Sequence, residues 1–141
     1  MGAKVLVVDS EGFLVDLIRE FLESEGYQVA LVSSGAEALE HLKKEKFDLL
    51  LSDVKMPGIS GFDLLKKVKA DYPDMAVIMM TGFGEAYTVK QALIDGADEY
   101  ITKPFKNHEI SLIVERAYWR LLSTRNAGKL PDQIMVEDNS P

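Results

Sequence analysis

Phe47-Asp48-Leu49-Leu50-Leu51-Ser52-Asp53 runs directly into Val54-Lys55-Met56-Pro57-Gly58. A short apolar run bounded by a Pro-Gly turn signal reads as a strand buried on both faces, over residues 47–51. It ends by delivering one carboxylate, Asp53, to a sheet edge. Other runs end in the same manner. Val5-Leu6-Val7-Val8 is closed by Asp9, the run ending at Met80 by Thr81, and the run ending at Thr102 by Lys103. Four strand ends that each carry a polar group point to one shared site.

Between these runs the apolar period changes from that of strands to that of helices. A helix follows the first strand, with Phe13, Leu14, Leu17, Ile18, Phe21 and Leu22 on its inner side and Gly26 as its stop. Residues 27–32 form the second strand. Ser34-Gly35-Ala36-Glu37 has capping-box spacing and opens the second helix. Ser60 and Asp63 repeat that spacing before Phe62, Leu65 and Val68. Residues 75–80 form the fourth strand. A short helix at 87–95 carries a thin stripe of Val89, Ala92 and Leu93. Residues 99–102 form the fifth strand. Asn107 caps a last helix with an inner stripe of Ile110, Ile113, Val114, Ala117 and Leu121. Five strands alternating with five helices predict an α/β fold, a parallel sheet covered on both faces with right-handed crossovers. In such sheets ligands bind at the carboxyl ends of the strands, where the strand order reverses. Asp9, Asp53, Thr81 and Lys103 all fall at carboxyl ends.

The chain has 141 residues, 47% hydrophobic and 28% charged, a size that favours one domain. The periodic part spans residues 3–124, and 125–141 reads as a linker or tail. The formal charge of −7 argues against a sequence-independent grip on nucleic acid or anionic lipid. There is no cysteine, which excludes disulfides, thiol catalysis and thiolate-held metals and fits a reducing compartment. No apolar stretch approaches the length of a membrane span or a secretory signal, so a cytoplasmic location is expected. His41 and His108 read as helix residues without a metal role. Thr81-Gly82-Phe83-Gly84 lacks the third glycine and the lysine of a phosphate-binding loop.

Neighbouring carboxylates repel unless a cation stands between them. Lys103 supplies one cation, and Mg²⁺, which takes oxygen ligands and keeps several waters, is the natural second. A carboxylate nucleophile, a hard cation, a lysine and the Thr81 hydroxyl make a phosphoryl-transfer set.

With Val7-Val8-Asp9, Ser52-Asp53-Val54-Lys55-Met56-Pro57-Gly58, Thr81-Gly82 and Tyr100-Ile101-Thr102-Lys103-Pro104-Phe105 in this order, the chain resembles the receiver domains of two-component response regulators. The resemblance implies a flavodoxin-like doubly wound fold of strand order 2-1-3-4-5. It implies a signalling module rather than a metabolic enzyme. Asp53 would be the phosphoacceptor, served by a histidine kinase or phosphotransfer protein within a phosphorelay. Lys103 would pair with the phosphoryl group, Thr81 would be the switch hydroxyl, and Tyr100 the aromatic that moves with it. Asp9, Asp53 and the Lys55 carbonyl would hold Mg²⁺, and the Lys103–Pro104 bond would be cis. Lys55 and Phe83 would flank the path of the hydrolytic water and slow autodephosphorylation.

One departure stands out. Receivers usually carry two consecutive acids after the first strand, whereas here Asp9 is followed by Ser10 and then Glu11. A serine hydroxyl is a neutral, poor ligand, so weakened Mg²⁺ affinity is expected, with Ser10 or Glu11 contributing through water. Ser10 is also the sequence support for the rival reading, a pseudo-receiver that binds partners without phosphorylation. A flavin-binding protein of the same architecture would need Ser, Thr and Gly after the first strand, and Asp9-Ser10-Glu11 has the wrong charge for it. Leu112, Trp119 and Leu122 lie off the inner stripe of the last helix. In the family, the face made by the fourth helix, fifth strand and fifth helix responds to phosphorylation, and apolar residues there suit a homodimer or an effector. No output module follows residue 125, which fits a free-standing receiver or part of a longer regulator.

Overall fold

The computed structural model describes residues 2–82 and 86–125, with the backbone alone for residue 13 and residues 86–89. The chain runs β1 (Lys4–Val8), α1 (Gly12–Ser24), β2 (Gln28–Val32), α2 (Gly35–Lys44), β3 (Leu49–Asp53), α3 (Gly61–Asp71), β4 (Ala76–Thr81), α4 (Ala86–Ile94), β5 (Glu99–Thr102) and α5 (Asn107–Arg125). The strands form one parallel sheet of order β2-β1-β3-β4-β5. This is the doubly wound fold that the sequence predicts.

Side chains of successive strand residues alternate between the two faces, which explains the two cores. Val5, Val7, Leu49, Leu51, Ile78 and Met80 meet α1 and α5 through Val15, Ile18, Val114 and Ala117. Leu6, Val8, Leu50, Val77 and Met79 meet α2, α3 and α4 through Ala38, Leu42, Leu64, Val68 and Ala92. Thr81, two residues beyond Met79, continues the second series.

The helix signals act largely as read. Ser34 accepts the Glu37 N–H at 3.2 Å, and Ser60 accepts the Asp63 N–H at 3.1 Å. Gly26, at φ +98°, closes α1 in a Schellman turn: the Tyr27 N–H reaches Leu22 O at 3.1 Å and the Gly26 N–H reaches Glu23 O at 3.0 Å.

Some expectations are corrected. Strand β3 lies at Leu49–Asp53 rather than 47–51, because pairing with β4 continues through Ser52↔Met79 and Asp53↔Met80. Asp53 is therefore held by the sheet rather than by the turn. Leu17 is exposed, since the stripe that α1 buries is centred on Val15, Ile18 and Leu22. Leu93 is exposed too, whereas Ala92 is buried, and the Val89 side chain lies outside the described residues. Asn107 is already helical: the Ile110 N–H reaches Lys106 O, and Glu109 Oε1 accepts the Lys106 N–H at 2.7 Å. Helix α5 continues to Arg125, whose guanidinium meets Asp48 at 2.9 Å. Phe83 and the tail from residue 126 lie outside the described residues.

Candidate functional site

Parallel registry brings the four strand ends together. Val8 pairs with Ser52, so Asp9 and Asp53 end adjacent strands on either side of the point where the strand order reverses. Thr81 pairs with Thr102, and the Lys103 N–H reaches Thr81 O at 2.7 Å. One edge of the sheet thus carries both acids, the hydroxyl and the lysine.

Lys103 is the hub. Its Nζ donates to Asp9 Oδ2 at 3.0 Å and stands 3.3 Å from Asp53 Oδ2 and 3.6 Å from Glu11 Oε1. The Asp9 side chain has no exposed surface, and its Oδ1 accepts the Glu11 N–H at 2.9 Å. Burial works against the Lys103 charge, but the hydrogen bond to Asp9 and the charges of Asp53 and Asp9 outweigh it, so its pKa is raised. Burial also pushes the Asp53 carboxyl up; Lys103 pulls it down, Asp9 pushes it up, and the net result is raised. The Asp53 anion is thus under-compensated, and further positive charge would stabilise it.

Asp53 opens onto a cleft of about 300 Å³ lined by Ser10, Glu11, Lys55, Gly82 and Lys103. A larger cleft of about 550 Å³, between Phe47 and Tyr72, lies at the opposite edge of the sheet and shares none of these residues. Asp53 and Lys103 both line the smaller one.

The donor set fits a hard divalent cation. All its groups are oxygens, and one ammonium faces several carboxylates. Both Asp9 oxygens are already engaged, so Asp9 would act through water. Among the described residues no three acidic, histidine or cysteine side chains are grouped tightly enough to hold a metal unaided.

Thr81 is fully buried, with its Oγ1 3.5 Å from Thr102 Oγ1, the limit of a hydrogen bond. Tyr100 is 38% exposed and shares with Thr81 and Thr102 the sheet face that carries α4. The Lys103–Pro104 peptide bond is cis.

Sequence reasoning missed Gly61, Thr102 and Glu99. A Cβ at position 61 would stand 2.2 Å from Asp53 O, and the Gly61 N–H donates to Val54 O at 2.9 Å. The signal was a glycine directly after the Ser60 cap. Glu99 is 8% exposed and accepts hydrogen bonds from two Arg116 nitrogens at 2.8 Å each and from Arg120 Nη2 at 2.5 Å. Helical spacing of the arginines on α5 hinted at a shared partner, but β5 carried no sign of it.

A parallel sheet with acids and a lysine at its switch point defines the class of receiver-like signalling folds. The profile of the response regulator receiver domain matches residues 5–115, and the chain belongs to that family. It is 35% identical over 126 residues to the response regulator SaeR of Staphylococcus epidermidis, covering 89% of this chain and 55% of SaeR. It is 35% identical over 116 residues to sporulation initiation phosphotransferase F of Bacillus subtilis, covering 82% of this chain and 94% of that protein. Among solved structures, a receiver domain from Clostridium thermocellum superposes with a TM-score of 0.79 at 36% identity, covering 84% of this chain and 95% of that one. NtrX from Brucella abortus gives 0.86 at 31% identity, covering 89% and 29%. The chain thus spans about half of SaeR but nearly all of the sporulation phosphotransferase. Receivers of this family act in two-component systems, generally bind Mg²⁺ at the phosphorylation site, and interact with histidine kinases or phosphotransfer proteins. No helix among the described residues is long and apolar enough to cross a membrane.

Proposed function

We propose that this chain is a phosphoacceptor switch in a phosphorelay, with Asp53 as the acceptor. The observation that carries this reading is the Lys103 ammonium held 3.3 Å from Asp53 Oδ2 and 3.0 Å from Asp9 Oδ2 at the sheet's switch point. The donor is a phosphohistidine on a kinase or phosphotransfer protein. An Asp53 oxygen attacks phosphorus; the O–P bond forms as the P–N bond breaks, and the imidazole leaves with the electron pair. Lys103 meets the charge on the phosphoryl oxygens. Asp53, the Lys55 carbonyl and, through water, Asp9 would hold Mg²⁺, which neutralises further phosphoryl charge when bound. The 35% identity to sporulation initiation phosphotransferase F supports phosphoryl transfer through this site.

Thr81 is the switch. Its contact to Thr102 is long enough to give up, so the hydroxyl turns to the phosphoryl oxygen and leaves room for Tyr100 to move inward. The equilibrium between two surface states then shifts. Apart from Leu17, the exposed large hydrophobics among the described residues are Leu93, Ile94, Tyr100, Leu112 and Trp119, all on α4, β5 and α5. That face suits a homodimer or an effector. A cytoplasmic location goes with kinase-dependent signalling. Lys55 and Phe83 are taken as the residues that slow hydrolysis, so Lys55→Ala should shorten the life of the phosphorylated form.

The second reading, a phosphorylation-independent partner-binding module, rests on Ser10 at the place of an acid. Incubation with acetyl phosphate and Mg²⁺ separates the two. Phosphoryl transfer predicts an intact mass higher by one phosphoryl group, absent in Asp53→Asn. No mass change at saturating Mg²⁺ would leave the second reading standing.

A further inference from the structure

Lys103 faces one more carboxylate than the sequence leads one to expect. Glu11 precedes α1 at its N-cap position with φ −93° and ψ 97°, outside the helical region. Its backbone N–H is tied to Asp9 Oδ1 at 2.9 Å. That tie fixes the chain where it leaves β1. The Glu11 carboxylate therefore lies over the sheet edge, 3.6 Å from Lys103 Nζ, and Glu11 lines the cleft beside Asp53.

The pairing of Glu11 with Lys103 is loose. Its side chain is 67% exposed, and an ion pair of this length in water contributes little. Lys103 is already satisfied at shorter range by Asp9 and Asp53. Glu11 is thus a hydrated, anionic oxygen donor at the cleft with no strong commitment elsewhere at the site. Ser10, which also lines the cleft, brings only a neutral hydroxyl.

We propose that Glu11 supplies the carboxylate that Ser10 does not, serving as the third anionic donor to the divalent cation alongside Asp53 and Asp9. The acid then stands one residue further along the chain, at the N-cap of α1. Glu11 acts by charge and direct or single-water contact, and takes no part in covalent chemistry. This inference rests on the phosphoacceptor reading for the location of the cation.

The test is Mn²⁺ binding to the unphosphorylated full chain, followed by electron paramagnetic resonance of free Mn²⁺. Mn²⁺ accepts the same carboxylate, carbonyl and water donors as Mg²⁺. Glu11→Gln should weaken binding by about tenfold or more. Ser10→Ala should leave it essentially unchanged, and Ser10→Asp added to Glu11→Gln should restore it. An amide fingerprint spectrum that matches wild type away from the cleft shows that each variant is folded. Glu11→Gln that binds Mn²⁺ as tightly as wild type, or more tightly, overturns the proposal and leaves Glu11 as a mere counter-ion of Lys103. Phosphoryl uptake from acetyl phosphate at saturating Mg²⁺ is measured in parallel. Uptake together with unchanged Mn²⁺ affinity in Glu11→Gln defeats the Glu11 role alone. Neither uptake nor Mn²⁺ binding by the wild-type chain defeats both readings.

Discussion

Gly61 lies directly beneath Asp53: a Cβ on residue 61 would stand 2.2 Å from Asp53 O and 2.7 Å from Val54 Cα. These are backbone atoms, which cannot swing aside as a flexible side chain would. The first residue of α3 therefore constrains the position of the strand end that carries Asp53.

Gly61→Ala should force the end of β3 and the start of α3 apart. Overpacking of this kind typically costs about 1–3 kcal/mol. The expected outcome is a lower denaturation midpoint and slower phosphoryl uptake from acetyl phosphate. Denaturant titration and intact-mass kinetics check it; wild-type behaviour in both would show that the close approach is not a constraint.

Lys103→Met removes the cation from two carboxylates, one of them with no exposed surface. Leaving a buried charge without its partner costs about 3–5 kcal/mol. A loss toward the lower end is expected, because Asp53 retains some solvent. Calorimetry measures it, and added divalent cation should recover part of it. No loss of stability at neutral pH would contradict the central position assigned to Lys103.

Thr81→Val keeps the shape and removes the hydroxyl. Because Thr81 Oγ1 makes only a 3.5 Å contact to Thr102, stability should change by less than about 1.5 kcal/mol. Phosphoryl uptake should persist, while the accompanying NMR shift of Tyr100 is lost. Tyr100 responding as in wild type would uncouple it from Thr81.

Glu99 gives a pH-dependent term. Burial opposes its charge, but the hydrogen bonds and charges of Arg116 and Arg120 outweigh that, and its pKa is lowered from 4.5. A depressed carboxyl contributes stability that is present above the unfolded-state value and lost as the pH falls through the folded one. Glu99→Gln should therefore cost about 1–3 kcal/mol at neutral pH. The gap to wild type should narrow once the pH drops below 4.5. Urea unfolding across pH checks it; a gap that stays constant in acid would rule out the ion pair as its source.

Much of this was legible in the chain. Buried parallel strands such as Val5–Val8 are near-continuous apolar runs, so their ends were visible, and with them Asp9, Asp53, Thr81 and Lys103. Ser34 and Ser60 announced their helices because capping is local. What escaped depends on contacts across the fold. The approach of Gly61 to Asp53, the pairing of Thr81 with Thr102 and the Glu99–Arg116–Arg120 cluster join distant segments without a short-range pattern. The direction of Glu11 was undecidable from sequence, since it turns on one backbone hydrogen bond to Asp9. Leu17 and Leu93 misled because an apolar residue flanking a stripe looks the same as one within it.

The identity of the acceptor is tested most directly by borohydride trapping. The chain is phosphorylated, reduced with borohydride, which converts an aspartyl phosphate to homoserine, and mapped by peptide sequencing. Homoserine at position 53 alone is the predicted result. Homoserine at position 9, or none at all under conditions that give phosphoryl uptake, would contradict the account.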